Sequence, residues 1–194
     1  FEDNSATQWG GGGVDAWSSQ LWIEDCIFRG NQSETHGGGV NLGGCTGTVS
    51  GTLFASNVAS GNGGAIRGHY SSFTLQNCTL VENAGQVGGG LFCGTQTHVD
   101  LAQTIVASSL NGAAIEGEPD GSVTLNCCNL VGNTGGDWVA LAADWEGQDG
   151  NLSLEPKFCE PALGNYGLSE LSPCAPANSG GCGQIGAYPV ECAA

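Results

Sequence analysis

The chain has 194 residues, enough for one domain with a substantial core or for a short solenoid. It contains 35 glycines and ten cysteines but only three lysine and arginine residues, and its formal net charge is −16. This charge argues against a nucleic-acid partner and against an anionic membrane surface, both of which need a basic footprint, and no apolar run has the length of a membrane span.

The ten cysteines predict a disulfide-stapled protein that is extracellular or on the cell surface. An even number at this density is typical of secreted chains. The Cys-x2-Cys pairs of zinc sites, the alternative for a reducing cytosol, are absent. The connectivity stays open, so all ten are candidates for disulfide bonds: Cys26, Cys45, Cys78, Cys93, Cys127, Cys128, Cys159, Cys174, Cys182 and Cys192.

Three columns of residues recur along the chain with a period of about 26 residues, and such periods indicate solenoids, propellers or arrays. The first column is rich in glycine: Gly12-Gly13-Val14, Gly38-Gly39-Val40, Gly64-Ala65-Ile66, Gly89-Gly90-Leu91 and, more loosely, Ala113-Ala114-Ile115. The second column is apolar: Phe28, Phe54, Leu80, Val106 and Leu130. The third is mostly asparagine: Asn31, Asn57, Asn83, Ser109 and Asn133.

Local chemistry indicates which kind of solenoid this is. The segments between glycine clusters are short, β-branched and alternating, as in residues 73–80, which is typical of strands and turns. Helical repeats would need good helix formers at helical spacing, and propeller blades need about 40 residues each. A coil of about 26 residues suits three short strands and three turns, with each strand paired in parallel to its equivalent one coil away. The sequence therefore predicts an all-β parallel β-helix.

The columns also predict structural roles. The apolar column should stack inside the coils, and the glycine pairs should lie at tight bends that need a positive φ or a close backbone approach. The asparagine column should form a ladder at a turn, where each amide bonds its counterparts and the turn backbone, although such a column can also bind a ligand.

Short elements of the repeat resemble those of bacterial secreted right-handed parallel β-helix proteins, including those with polymorphic-outer-membrane-protein-type repeats. They are Gly63-Gly64-Ala65-Ile66 and Phe54-Ala55-Ser56-Asn57. Residues 156–159 and 171–176 resemble the final coils of such proteins, and residues 182–188 resemble the closing motif. The resemblance spans nearly the whole chain and implies a right-handed β-helix. Most such proteins have no known activity, so it implies little about function.

The resemblance also implies a domain organisation. Residues 1–150 are expected to form the coils, and residues 151–194 the terminal coils and a disulfide-rich closing segment of the same domain. Because Phe1-Glu2-Asp3-Asn4 matches the Phe-x-x-Asn element, the first coil is expected to be incomplete and uncapped.

No catalytic site, metal site or cofactor is predicted, because chemically active residues do not align between coils. One period forward, Arg29 is aligned with Ala55 and Arg67 with Cys93, and acidic residues almost never stack. The paired carboxylates of a glycosidase would have to share a column on adjacent coils. The three histidines also fall in different columns: His36, His69 and His98.

An acidic stretch with two tryptophans is the best candidate for a ligand site, with calcium or a sugar as the ligand. An aromatic ring can stack on a sugar while carboxylates accept its hydroxyl groups. The alternative is a loop that packs its tryptophans on the solenoid. The stretch contains Asp137, Trp138, Asp144, Trp145, Glu146 and Asp149. In the same way, three N-terminal tryptophans predict either packing or an exposed contact strip: Trp9, Trp17 and Trp22.

We expect an extracellular structural or surface scaffold that has no catalytic activity. The open ends of a parallel β-helix carry unpaired N–H and C=O groups, so self-association through these ends, into a filament or an adhesin stalk, is the expected contact. The alternative is a β-helix that binds or degrades polysaccharide, with extracellular glycans as partners. No nucleic-acid partner and no membrane insertion is expected.

Overall fold

The chain winds into a parallel β-solenoid in a computed structural model, which describes residues 1–193. Successive coils add strands to four parallel sheets, of which sheets 1, 2 and 3 have five strands each and sheet 4 has four. The predicted all-β parallel solenoid is therefore confirmed. The coil differs from the expected three-strand form because one of its turns is extended enough to pair as sheet 4.

The strands of each sheet follow one another in sequence order along the axis. Sheet 1 contains Val14–Trp17, Val40–Gly43, Ile66–His69, Leu91–Cys93 and Ile115–Gly117. Sheet 2 contains Gln20–Glu24, Thr46–Ser50, Ser72–Gln76, His98–Ala102 and Ser122–Asn126. Sheet 3 contains Ile27–Arg29, Leu53–Ala55, Thr79–Val81, Ile105–Ala107 and Asn129–Val131. Sheet 4 contains Ser5–Ala6, Gln32–Ser33, Val58–Asn62 and Ala84–Val87.

The register stays within one position of the period seen in the sequence until the last coil. In sheet 1, Arg67 pairs with Phe92 and not with Cys93, the residue that one full period had predicted. In sheet 3, Ile27 pairs with Leu53, which lies one full period further along the chain. Ile105 pairs with Asn129, which falls short of a full period by two positions. The contraction comes from shorter turns in the last coil, and it shifts which residues face each other there.

The apolar column stacks at the centre of sheet 3 as an interior ladder. Phe54 pairs with both Phe28 and Leu80, and the ladder continues through Val106 to Leu130, all with no exposed surface. The Phe28 and Phe54 rings stack with centroids 4.9 Å apart. Burying such large side chains in register is the main stabilising contribution of a solenoid core.

The asparagine column lies at the turn between sheets 3 and 4 and is buried. Asn57 Nδ2 donates to Asn83 Oδ1 at 3.0 Å and to the Phe28 carbonyl at 2.9 Å, while Asn57 Oδ1 accepts from Asn31. Ser109 replaces asparagine in the fourth coil, and its backbone N–H donates to Asn133 Oδ1 at 3.0 Å. The ladder thus satisfies backbone groups that the turn would otherwise bury unpaired.

The C-terminal segment, residues 155–193, does not add further coils as the resemblance implied. It folds back across the outer face of sheet 3, where it forms a small sheet of Phe158–Glu160, Asn165–Ser169 and Val190–Cys192 and a 3-10 helix, Pro161–Leu163. Its apolar side chains, among them Tyr166 and Ile185, cover outward-facing residues of sheet 3 such as Leu53 and Ile105. The reason is that sheet 3 is apolar on both faces, so its outer face has to be covered.

Only four of the ten cysteines form disulfide bonds, and the expectation that all ten do so is corrected. Cys127 bonds Cys182, which ties the last coil to the C-terminal segment, and Cys159 bonds Cys192 within that segment. The other six are thiols: Cys26, Cys45, Cys78, Cys93, Cys128 and Cys174.

The repeat itself explains three of the six thiols. At the turn between sheets 2 and 3, cysteine alternates with threonine along one column: Cys26, Thr52, Cys78, Thr104 and Cys128. Cysteines of this column are two coils apart, about 10 Å, which is beyond disulfide reach. Cys78 Sγ and Thr104 Oγ1 make equivalent hydrogen bonds to backbone carbonyls, so the thiol takes the place of a hydroxyl.

Candidate functional site

The acidic stretch with two tryptophans closes the C-terminal end of the solenoid. Its 3-10 helix, Ala140–Trp145, packs on the last strands of sheets 1 and 2, and Ala142 has no exposed surface. The rings of Trp138 and Trp145 pack against the interior core, and Trp138 Nε1 donates to Ser153 Oγ. The tryptophans are therefore used in packing, which was the alternative interpretation of this stretch.

The carboxylates of the same stretch do not converge on one site. Asp137 accepts hydrogen bonds from the backbone of Gly132 and Asn133 at 3.1 and 2.8 Å, and so fixes a turn. Asp144, Glu146 and Asp149 are exposed. Within residues 1–193, no three His, Cys, Asp or Glu side chains are grouped closely enough to hold a metal ion.

The N-terminal end of the solenoid, in contrast, is open. A cavity of about 430 Å³ is lined by the first coil's inward-facing residues, including Val14, Leu21, Ile23 and Phe28. The strands Val14–Trp17 and Gln20–Glu24 each have a neighbour on one side only. Large apolar side chains are exposed around this end: Phe1, Trp9, Trp17, Trp22 and Ile27. These residues form what we call the open end.

Side chains of the same interior columns differ in exposure between the two ends of the solenoid. Leu21 and Ile23 of the first coil are partly exposed, whereas their counterparts in the last coil, Val123 and Leu125, are buried. The difference arises because the segment around Trp145 covers the last coil and nothing equivalent in the described chain covers the first. A cluster of exposed aromatic and aliphatic side chains is typical of a contact site.

A second feature is a row of polar residues along the outer face of sheet 1. Asp15, Asn41 and Arg67 occupy equivalent positions on three successive strands. Asn41 Nδ2 donates to Asp15 Oδ1 at 2.7 Å, and Arg67 Nη1 donates to Asn41 Oδ1 at 3.0 Å. Asn41 is only 2% exposed although it faces outward, and both of its neighbours in the row hydrogen-bond to its side chain. We call Asp15, Asn41, Arg67 and the adjacent Trp17 and His69 the polar row.

Two histidines near Arg67 are kept neutral. Burial, and then the charge of Arg67, lowers the pKa of His36 and of His69 below 6.5. Burial likewise lowers the pKa of Arg67, against the opposing effect of Glu118 and Asp15. Arg67 Nε and His69 Nδ1 are both buried without a hydrogen-bond partner in the described chain.

The sequence contains a signal for the polar row. Backward steps of one period from Arg67 lead to Asn41 and then to Asp15. The signal is a column in which charged residues flank an amide, and the position one period forward from Arg67 does not belong to it. The two N-terminal tryptophans Trp9 and Trp17 lie beside this face and are exposed, as one of their two interpretations predicted.

A third constellation lies on the outer face of sheet 2. His98 Nδ1 is 2.9 Å from Ser122 Oγ, and His98 Nε2 is 3.1 Å from Asp100 Oδ1. A full period counted from His98 misses Ser122, because the last coil is shorter than the others. The order of hydroxyl, imidazole and carboxylate is that of a hydrolytic triad. However, all three lie on a solvated strand surface, with the His98 and Asp100 side chains 43% and 52% exposed.

The buried thiols have low chemical reactivity. Burial raises the pKa of Cys78, Cys93 and Cys128 to about 12 each, so they stay protonated at neutral pH. A protonated, buried thiol is a poor nucleophile and metal ligand.

Comparison of the chain with protein-family models, with curated proteins and with solved structures gave no match. None of the helices between residues 1 and 193 has the length and apolar character needed to span a bilayer.

Proposed function

We propose that this chain is an extracellular structural scaffold of the bacterial secreted β-helix type, and that its open end docks a further β-structure. The observation that carries the proposal is the contrast between the two ends of one interior core. The last coil is covered by its own chain, whereas the first presents partly exposed Leu21 and Ile23 and an aromatic rim. Location outside the cell is supported by the two disulfide bonds.

A scaffold role suits the way the coils are held. Each coil is fixed to the next by parallel strands, by the apolar ladder and by the asparagine ladder, so that the solenoid is stiff along its axis. The C-terminal segment braces one side and is itself tied by Cys159–Cys192. A stiff solenoid of this kind can transmit force and hold other parts of an assembly at a fixed separation. A stalk or surface fibre requires both properties.

Absence of catalysis is part of the proposal. The nearest arrangement to an active site, Ser122 with His98 and Asp100, is open to water rather than enclosed in a site that excludes it. Those contacts also have a structural role, since they pair the hydrogen-bonding groups of polar side chains on a sheet face.

Self-association would use the open end of both copies. The C-terminal end is covered by the segment that contains Trp138 and Trp145, so a head-to-tail filament would require that this cover move away. A contact between two open ends is isologous and closes as a dimer. Pairing of the free edges of Val14–Trp17 and Gln20–Glu24 would supply backbone hydrogen bonds, and the aromatic rim would supply buried area.

Sedimentation velocity over a wide concentration range tests this proposal. We expect the wild type to dimerise, and Trp22→Ser at the rim and Leu21→Asp at the mouth of the cavity to weaken dimerisation about tenfold or more. Leu171→Asp, which replaces an exposed leucine of the C-terminal segment, is the matched control and should dimerise like the wild type. A wild type that stays monomeric at millimolar concentration would contradict the proposal.

A further inference from the structure

Arg67 is a partly buried cation without an anionic partner. Its guanidinium makes one hydrogen bond, to Asn41 Oδ1, and its Nε is buried without a partner. Over residues 1–193, ion pairs within 4.0 Å are limited to Arg29 with Glu2 and His98 with Asp100, so no carboxylate of the described chain contacts Arg67. Partly buried charges are normally paired, because removal from water costs free energy that a partner offsets.

The surroundings of Arg67 favour an anion. His36 and His69 lie near it and are neutral at pH 7, so they can donate or accept hydrogen bonds without repelling a ligand. Asp15 is already bonded to Asn41 and to Trp17 Nε1, which leaves its charge partly compensated. Glu118 and Asp15 also act on Arg67, but neither lies within 4.0 Å of it, so the guanidinium keeps free N–H donors for the carboxylate of a ligand.

Beside the guanidinium lies an immobilised aromatic surface. The ring of Trp17 lies against the backbone of Gly43 so closely that a Cβ atom at residue 43 would collide with it. Its Nε1 donates to Asp15 Oδ2 at 3.0 Å, which fixes the ring in its plane. The side chain is nevertheless 56% exposed, so one face of the indole is open to solvent. A fixed, solvent-facing indole binds a flat apolar surface at a low cost in conformational entropy.

The two groups stand side by side over one strand. Arg67 reaches back to Asn41, and the Trp17 ring covers Gly43, two residues further along the same strand and on the same face. Positions two residues apart on a strand are separated by about 7 Å. A six-membered sugar ring stacked on the indole would therefore bring a carboxylate on that ring within reach of the guanidinium.

From this juxtaposition we infer that the polar row binds an acidic saccharide, with the carboxylate of a sugar acid on Arg67 and the apolar face of its ring on Trp17. Charge-assisted hydrogen bonds to the guanidinium supply specificity for the anion. The indole supplies specificity for a ring.

Titration calorimetry and indole N–H signals in ¹H–¹⁵N NMR spectra test the inference, with an oligosaccharide of glucuronic acid as the probe. The wild type should bind the probe and shift the Trp17 indole signal. It should bind the matching neutral glucose oligosaccharide about tenfold more weakly or worse, because the carboxylate contact is lost. Arg67→Gln and Trp17→Ala should each reduce affinity for the acidic probe about tenfold or more.

Matched variants separate this site from the rest of the molecule. Arg29→Gln removes the other arginine, which pairs with Glu2, and Trp22→Ser alters the open end; both should bind the probe like the wild type. Trp17→Ala keeps the test valid if Arg67→Gln fails to fold. Equal binding by wild type and Trp17→Ala, or acetate bound as tightly as the saccharide, would overturn the inference.

Discussion

Asn57 shows how a single side chain can hold three coils together. Its amide oxygen accepts from the backbone N–H and the side chain of Asn31, and its nitrogen donates to Asn83 and to the Phe28 carbonyl. All of these groups are buried, so no water can replace a missing partner. Turn residues of this kind limit how far the sequence of a coil can vary, while the thiol and hydroxyl positions allow substitution because either group makes the same bond.

We predict that Asn57→Ala lowers the free energy of unfolding by about 3 kcal/mol, because it leaves several buried polar groups unpaired. Gln32→Ala, an exposed position in the strand Gln32–Ser33 of sheet 4, should change it by less than about 0.5 kcal/mol. Urea unfolding followed by circular dichroism measures both variants. Equal midpoints for the two variants would mean that the ladder contributes no net stability.

At the scale of an element, sheet 3 has two apolar faces that are covered in different ways. The inner face packs in the core, and the outer face is covered by the C-terminal segment over most of its length. The cover does not extend fully to the first strand, where Ile27 is 38% exposed, whereas Ile105 in the same column is fully buried. One column of one sheet thus contains both a covered and an uncovered residue.

This contrast predicts different costs for the same substitution. Ile105→Ala should destabilise the protein by about 3 kcal/mol through lost burial and a cavity. Ile27→Ala should cost about 1 kcal/mol or less, since much of its surface already contacts water. Thermal or urea unfolding of the two variants provides the comparison. If Ile27→Ala costs as much as Ile105→Ala, the C-terminal segment does not protect the sheet as the structure indicates.

For the whole molecule, Cys127–Cys182 joins the solenoid to the segment that braces its side. The bond closes a loop with a sequence separation of 55 residues. Loss of such a cross-link frees the unfolded chain, and its cost grows with the length of the loop. The six thiols carry no such link, so reduction should act on the C-terminal part rather than on the coils.

We therefore predict that Cys182→Ser destabilises the protein by up to about 4 kcal/mol under non-reducing conditions. Cys45→Ser is the matched control and should cost less than about 1 kcal/mol, because the next coil has Ser71 in the same column. Dithiothreitol should lower the melting temperature of the wild type at least as far as Cys182→Ser does, because it also reduces Cys159–Cys192. A large loss in Cys45→Ser would show that the thiols are not simple substitutes for hydroxyl groups.

The sequence by itself determined the coil. Its period is visible in three columns, and because parallel strands stack equivalent residues, the pattern predicts sheets 1, 2 and 3 and most of their register. It did not predict sheet 4, which forms in an extended turn. The same columns place Phe54 and Asn57 in ladders. Where the period contracts, beside Ser122, the columns no longer predict which residues face each other.

Only the tertiary structure decided what covers the repeat. The path of residues 155–193, the cover over the last coil and the pairing of Cys127 with Cys182 involve segments that do not repeat, so no column predicts their neighbours. The site at Arg67 likewise depends on how the Trp17 ring lies over Gly43, which is a matter of side-chain direction. Periodicity specifies contacts along the solenoid axis, whereas contacts around its sides and ends depend on packing between parts of the chain that share no pattern.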